Sequence, residues 1–356
     1  MSSLASPSKL VTISRTFSWF MVCAVFLYLL NNYLVYWQGL PGSWAMLEYF
    51  GWFGMESDKP LTEHELMQGG LQLAFYIVAL CASVFYALRR NSLPLAQDAL
   101  RLHQLSSYIV RAAFWTVLLV GLVDMIISLL RVENLLPLLI SEDLVSELGR
   151  PAFRGEYVHY PLLYLSLVIA AVFRKVSFSW LALMVVMAEF FIVITRFVFS
   201  YEQAYMGDLV RFWYAALFLF ASSYTLVQEG HVRVDVLYAG MKKKNKARVN
   251  IVGILLLGIP LCWVILMQGM GGRGNSINSP FLSFEISQSG YGMYVKYLMA
   301  GYLVVFAVSM LLQFASYLLH NVAVLSEADE DDLEDYNVIC CSTETAHHAH
   351  VAGEVK

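Results

Sequence analysis

Residues 178–199 read FSWLALMVVMAEFFIVITRFVF and contain one carboxylate, Glu189, and one cation, Arg196. About 20 consecutive apolar residues are enough for a helix to cross the hydrocarbon core of a bilayer. This stretch therefore predicts a transmembrane helix. The pattern recurs along the chain, and we predict eight spans, at residues 17–38, 67–88, 107–130, 157–173, 178–199, 209–228, 249–270 and 297–320.

The composition of the 356-residue chain agrees with this interpretation. Hydrophobic residues make up 59%, charged residues only 14%, and the mean hydropathy is +0.61. Soluble domains are about 45–50% apolar and about 25% charged, which excludes an ordinary soluble enzyme and a disordered chain. The net charge of −4 provides no basic field, so no nucleic-acid partner is expected. We predict an all-α polytopic membrane protein of about eight helices.

The distribution of Lys and Arg residues predicts the orientation of these spans. With the N-terminus inside, 15 of the 23 cations fall on the inner side and 8 on the outer side. Cytoplasmic loops of membrane proteins carry an excess of Lys and Arg. The count therefore predicts that both termini are cytoplasmic. It also supports the short fourth span, because removing that span would break the alternation.

Two predicted spans carry a carboxylate near their middle, Asp124 in the third and Glu189 in the fifth. An Asp at bilayer depth costs about 2.5–3.5 kcal/mol on insertion scales, so such groups normally face other helices. One interpretation is a proton or ion relay. The other, which we favour, is interhelical hydrogen bonding that fixes the packing. Arg196 lies two turns from Glu189, too far for contact, and is expected to reach the outer interface.

The remaining motifs predict no cofactor, no metal and no catalytic activity. Residues 269–274 read GMGGRG, but they follow a membrane span instead of a strand, so a flexible loop is the better interpretation. Cys340 and Cys341 precede three histidines without the spacing that prearranges a zinc site. The other histidines fall in loops or at span ends, which argues against haem ligation within the bilayer.

Charged residues cluster around the sixth predicted span. Asp208 and Arg211 are spaced i, i+3 near its start, where they can pair. After the span, residues 229–238 read EGHVRVDVLY and supply four polar candidates, Glu229, His231, Arg233 and Asp235. The lysines that follow fit an amphipathic segment on the inner membrane surface. The alternative is a loop whose charges merely orient the span.

Four motifs in this part of the chain resemble the small membrane subunit, or Q component, of tripartite ATP-independent periplasmic (TRAP) transporters. They are Arg196–Phe199, Asp208 with Arg211, Ala221–Leu226 and Glu229–Tyr238. The Gly-His-Val-Arg-Val-Asp block is the most specific of them. The resemblance extends over about residues 176–322, and residues 323–356 form an acidic tail expected to be disordered.

The resemblance implies a scaffold function in a bacterial inner membrane. Such a subunit has four spans, binds a large multi-span subunit that moves substrate with sodium, and helps to dock a periplasmic solute-binding protein. Substrates of these systems are usually small organic acids. We expect a structurally decisive polar set that anchors the interface, pairs between subunits and positions the inner surface: Arg196, Asp208, Arg211, Glu229, His231, Arg233 and Asp235.

Residues 1–175 depart from this family pattern, since the family core needs no such extension. We expect about four helices here, which would thicken the scaffold, cover an exposed face or support homodimerisation. Two other functions stay open. One is a self-sufficient ion-coupled transporter or channel that uses Asp124 and Glu189. The other is a membrane anchor for a redox complex.

Overall fold

The computed structural model describes residues 8–52, 61–174, 178–227, 238, 240–286 and 292–326. These residues form helices and connecting turns, with no strand among them, which confirms the all-α prediction. In chain order the helices are α1 (Lys9–Tyr36), α2 (Gly42–Tyr49), α3 (Glu63–Arg89), α4 (Leu95–Val132), α5 (Leu136–Leu139), α6 (Glu142–Leu148), α7 (Pro151–Arg154), α8 (Tyr160–Val172), α9 (Phe178–Phe199), α10 (Ala204–Val227), α11 (Lys243–Gly253), α12 (Ile259–Met270), α13 (Asn278–Ser283) and α14 (Lys296–Leu325).

Seven helical segments in the described residues are long and apolar enough to cross a membrane. They are Lys9–Tyr36, Glu63–Arg89, Leu95–Val132, Pro151–Val172, Ser179–Phe199, Lys243–Met270 and Lys296–Leu325. Each coincides with a predicted span. The remaining prediction, 209–228, falls largely within α10, whose 24 residues give a length of about 36 Å. The orientation of the termini stays a prediction.

Short π-helical segments interrupt two of these spans, and a proline explains each. Gly155–His159 joins α7 to α8, and Ile254–Gly258 joins α11 to α12. Pro161 and Pro260 follow the two segments, each one residue into the next helix. Because proline has no N–H, the normal i to i−4 bond is lost there, and the wider π turn accommodates the mismatch.

Residues 131–156, which connect the third and fourth predicted spans, are mostly helical. Asn134 adopts a positive φ of 54° where α4 ends, and the short helices α5, α6 and α7 follow. Pro137 and Pro151 lie in the first turns of α5 and α7, where the missing N–H breaks no helical bond. The segment is thus a structured connection that brings its side chains back against the helices.

The described residues form two compact units, each with residues from both sides of the predicted boundary at 175/176. The first contains the described residues of Met1–His103, Arg233–Pro260 and Leu311–Ser342. The second contains those of Gln104–Val232 and Leu261–Met310. The predicted domain boundaries stay a prediction.

A buried ion-pair network holds the first unit together at the turn between α3 and α4. Asp98 accepts from Arg15 Nε and from Arg90 Nε, both at 2.7 Å. Arg15 also donates to the carbonyl of Leu93 at 2.5 Å and to the side chain of Asn91 at 3.3 Å. Arg15 and Asp98 are fully buried, so this network fixes α1 against the turn.

The core of the second unit lies between α4, α9, α10 and α14. Trp213 of α10 is buried in this core, and its Nε1 donates to the carbonyl of Val117 on α4 at 3.3 Å. Gly121, one turn further along α4, leaves room for the indole; a Cβ there would lie 2.5 Å from Trp213 Nε1. Phe220 and Tyr302 pack edge to face in the same core.

Candidate functional site

Asp124, the first of the two mid-span carboxylates, is fully buried in the second unit, with partners on both oxygens. Oδ1 accepts from Arg154 Nη1 at 2.9 Å and lies 3.1 Å from His159 Nε2. Oδ2 accepts from the backbone N–H of Tyr294 at 2.8 Å. The carboxylate is therefore compensated by a buried cation and oriented by a backbone amide.

Arg154 supplies that cation from α7 and is itself fully buried. Its Nε donates to the carbonyl of Leu148 at 3.1 Å, and Nη1 donates to Ser128 Oγ at 3.2 Å. The guanidinium carbon lies 4.1 Å from the centre of the Tyr294 ring, a cation–π geometry. The pair with Asp124 makes the cluster neutral overall, which a low-dielectric interior requires.

His159 extends the cluster towards α14. Its Nδ1 lies 2.8 Å from the hydroxyl of Tyr297, so the ring joins Asp124 to that tyrosine. Gly155 permits this close packing, since a Cβ there would lie 2.3 Å from the ring of Phe284 and 3.3 Å from the Tyr297 hydroxyl. The π turn Gly155–His159 thus presents both a small residue and a histidine to the same region.

Asp208, near the start of α10, holds Met293, the residue directly before Tyr294. Its Oδ2 accepts from the backbone N–H of Met293 at 3.1 Å, and it is 9% exposed. Its Oδ1 lies 3.7 Å from Arg211 Nη1, as the i, i+3 spacing predicts. The Arg211 side chain is 76% exposed, so this ion pair is open to its surroundings.

We call the two carboxylates and the two amides they hold the carboxylate clamp, which comprises Asp124, Asp208, Met293 and Tyr294. Asp124 reaches it from α4, and Asp208 reaches it from α10. The clamp fixes Met293 and Tyr294, which lie three and two residues before the start of α14, and the Tyr294 hydroxyl adds a hydrogen bond to the carbonyl of Gly149 at 3.0 Å. It positions the start of the last helix of the second unit.

A second contact joins the end of α4 to the turn between α9 and α10. The Tyr201 hydroxyl donates to Glu133 Oε1, and its backbone N–H donates to the carbonyl of Thr195 at 3.0 Å. Partial burial and the nearby Glu133 carboxylate raise the pKa of Tyr201, because both disfavour the phenolate. Tyr201 therefore stays a neutral donor throughout the physiological range.

The structure separates the two carboxylates that a relay would need to bring together. Asp124 is buried in the clamp, whereas Glu189 is exposed on α9. Arg196 forms an exposed ion pair with Glu202 at 3.3 Å. The predicted residues Glu229, His231, Arg233 and Asp235, together with the acidic tail, lie outside the described residues.

Sequence reasoning missed Arg154 and His159 as members of this site. The predicted spans leave Arg154 in the connection between the third and fourth spans and put His159 at the start of the fourth, and the structure buries both beside Asp124. A usable signal existed, since a carboxylate at mid-span needs a cation, and these two residues flank the start of the next span.

The glycine-rich stretch at the end of α12 forms a turn that is stabilised by hydrogen bonds from Asn278. Asn278 Nδ2 donates to the carbonyls of Met270 and Gly272, at 2.8 and 3.1 Å. No strand precedes the stretch, as a dinucleotide site would require. Within the described residues no three His, Cys, Asp or Glu side chains are grouped so as to hold a metal ion.

Comparison with known proteins identifies the C-terminal part of the chain. A family model described as the DctQ component of tripartite ATP-independent periplasmic transporters matches residues 183–323. Neither the curated proteins nor the solved structures that were compared contain a match. The matched residues include α10 and most of α9 and α14, and with them Asp208, Met293 and Tyr294 of the clamp. Residues 183–323 are therefore similar to the DctQ family of small TRAP transporter subunits, and the helices before them fit an extension of that segment.

Proposed function

We propose that this protein is the scaffold subunit of a TRAP-type uptake system in a bacterial inner membrane. It binds the large membrane subunit that moves the substrate, and it helps to dock a periplasmic solute-binding protein. The observation that carries the proposal is the DctQ match over residues 183–323, since a DctQ component is one part of a three-part system. We propose no catalytic function.

The geometry of the clamp supports a scaffold over an ion relay. Asp124 has partners on both oxygens, and Asp208 holds a backbone amide. A relay group must exchange its proton or ion, whereas these carboxylates are used to position backbone. Glu189, the other candidate for a relay, lies on the exposed face of α9 and so does not continue a path from Asp124.

The finer parts of the proposal follow from the resemblance and the charge distribution. Both termini are placed in the cytoplasm, transport is coupled to sodium, and the substrate is a small organic acid. The connections at 39–66 and 131–156 then face the periplasm, where the solute-binding protein docks. Homodimerisation through residues 1–175 remains a further proposal.

Reconstitution in liposomes tests this function. The chain alone is expected to move neither solute nor protons. Uptake is expected once the large membrane subunit and the solute-binding protein are added, with a sodium gradient. Solute or proton movement by the chain alone, abolished by Asp124→Asn, would contradict the scaffold function and favour a self-sufficient transporter. An absorbance spectrum with a Soret band would instead favour a redox anchor.

A further inference from the structure

Helix α9 has one face packed in the protein and one face open. Leu181 and Val185 are buried against the core of the second unit, whereas Val186, Phe190 and Val193 are 62%, 56% and 48% exposed. In an 18-residue apolar stretch of this helix only 17% is buried inside the protein, against 50% in the corresponding stretch of α14. Among the described residues nothing covers this face, so it is open to lipid or to protein.

Glu189 makes lipid a poor cover for this face. It lies near the middle of α9, about 15 Å from either end at 1.5 Å per residue, and it is exposed. A Glu side chain is too short to reach water from that depth. Among the described residues none forms a hydrogen bond or an ion pair with Glu189, and Arg196 is already paired with Glu202. A carboxylate facing lipid here is costly, so it needs a donor from outside the described residues.

Helix α3 has an open apolar face that differs from that of α9 in its charge. Its 18-residue apolar stretch is also only 17% buried inside the protein. Its sequence between Glu65 and Arg89 contains no charged residue. The exposed face of α3 is therefore compatible with lipid along its length, and the exposed face of α9 is not.

The neighbouring helix α10 presents a charge of the opposite sign. Arg211 is 76% exposed and lines a groove of about 680 Å³. Ile192 of α9, one turn from Glu189, lines the same groove, together with Asp208 and Lys296. The adjoining surfaces of α9 and α10 thus combine exposed apolar side chains with charges of both signs, among them Glu189 and Arg211. Opposite charges on such a surface can be matched by a complementary partner.

We infer that the face of α9 formed by Val186, Glu189, Phe190 and Val193, with Arg211 beside it, is the surface that binds the large membrane subunit. This inference rests on the proposed function. The residues of this surface all fall within residues 183–323, the part matched by the family model, whereas the extension does not. A partner common to a three-part system must bind a part common to its members. That partner presents a cationic or donor side chain at the depth of Glu189 and an acceptor to Arg211.

Photocrosslinking in native membranes tests this surface. A photoreactive amino acid is placed at Val186 in the full-length chain, in cells that also contain the other transporter subunits. The control position is Leu71 on α3, because its exposed fraction of 64% matches the 62% of Val186. We expect a crosslink to the large membrane subunit at Val186, identified by mass spectrometry, and about tenfold less at Leu71. A crosslink at Val186 only to lipid, or only to a second copy of this chain, would overturn the inference.

A charge variant tests the part played by Glu189. Glu189→Leu is expected to lower the amount of large subunit that co-purifies by about tenfold or more, because a cation on the partner is left buried and unpaired. Arg89→Gln at the exposed end of α3 is the control and should leave the yield unchanged. An unchanged yield with Glu189→Leu would overturn the assigned role. If wild-type protein retains the large subunit while neither Val186 nor Glu189 responds, the surface is wrong and the scaffold function stands. If wild-type protein retains no large subunit, the scaffold function itself fails.

Discussion

Asp124 and Asp208 hold consecutive backbone amides, those of Tyr294 at 2.8 Å and Met293 at 3.1 Å. Asp124 belongs to the N-terminal extension, and Asp208 belongs to the DctQ segment. The extension is thus part of the structure that positions the last helix of the family segment. Two further hydrogen bonds join residues before the DctQ segment to residues within it. Trp213 Nε1 donates to the carbonyl of Val117, and the Tyr201 hydroxyl donates to Glu133.

Asp124→Asn is expected to destabilise the protein, because it leaves Arg154 buried without its counter-ion. Breaking a buried ion pair in this way costs about 3–5 kcal/mol. The thermal unfolding midpoint of the purified chain in detergent should fall. The double variant Asp124→Leu with Arg154→Met should lose less than the sum of the single losses, since it removes both charges together. An Asp124→Asn protein with the wild-type midpoint but no uptake would indicate a relay instead.

Asp208 and Arg211 are expected to respond differently although they are paired. Asp208→Ala leaves the Met293 amide without its acceptor in a buried setting, which costs about 1–3 kcal/mol and lowers the unfolding midpoint. Arg211→Ala removes a side chain that is 76% exposed, so the midpoint should change little. Arg211→Ala should nevertheless reduce co-purification of the large subunit. Equal loss of stability in both variants would show that Arg211 acts within the chain.

Asp235→Ala tests the Glu-Gly-His-Val-Arg-Val-Asp block separately. If this block positions the inner surface for the partner, the variant should also reduce co-purification of the large subunit. Wild-type complex yield and uptake in both Asp235→Ala and Arg211→Ala would contradict the predicted roles of the polar set.

Gly121 and Gly207 form a matched pair for testing the packing between the extension and the DctQ segment. A Cβ at Gly121 would lie 2.5 Å from Trp213 Nε1, whereas one at Gly207 would meet nothing within 4 Å. Gly121→Ala is expected to cost about 1–3 kcal/mol through overpacking. Gly207→Ala should be neutral or stabilising by up to about 1 kcal/mol, because Ala favours a helix. Similar unfolding midpoints for the two variants would show that the Trp213 contact does not constrain the fold.

Removal of residues 1–175 tests whether the extension is an accessory. The shortened chain lacks Asp124, Arg154 and His159, so the Tyr294 amide loses its acceptor and the α4 side of the core is missing. It is expected to accumulate poorly in membranes and to elute as aggregates in size-exclusion chromatography. A monodisperse shortened chain that supports uptake would show that the DctQ segment folds independently.

The helices could be predicted from sequence because each depends on a long apolar run, as in residues 178–199. The polar contacts could not be predicted in the same way. Asp124 was identifiable as a group that needs a partner, but hydropathy does not reveal that Arg154 and His159 return to it across the connection 133–159. The short helices in that connection depend on local turn chemistry at Asn134, Pro137 and Pro151, which periodicity does not detect.

The most direct test of the scaffold function is affinity purification of the full-length chain from its native membranes in mild detergent, with quantitative mass spectrometry of the eluate. We expect a polytopic membrane protein, larger than this chain, to be present in a constant ratio to it through a second purification step. A periplasmic solute-binding protein in the same eluate would add support. A homogeneous preparation of this chain alone that transports solute in liposomes would contradict the account.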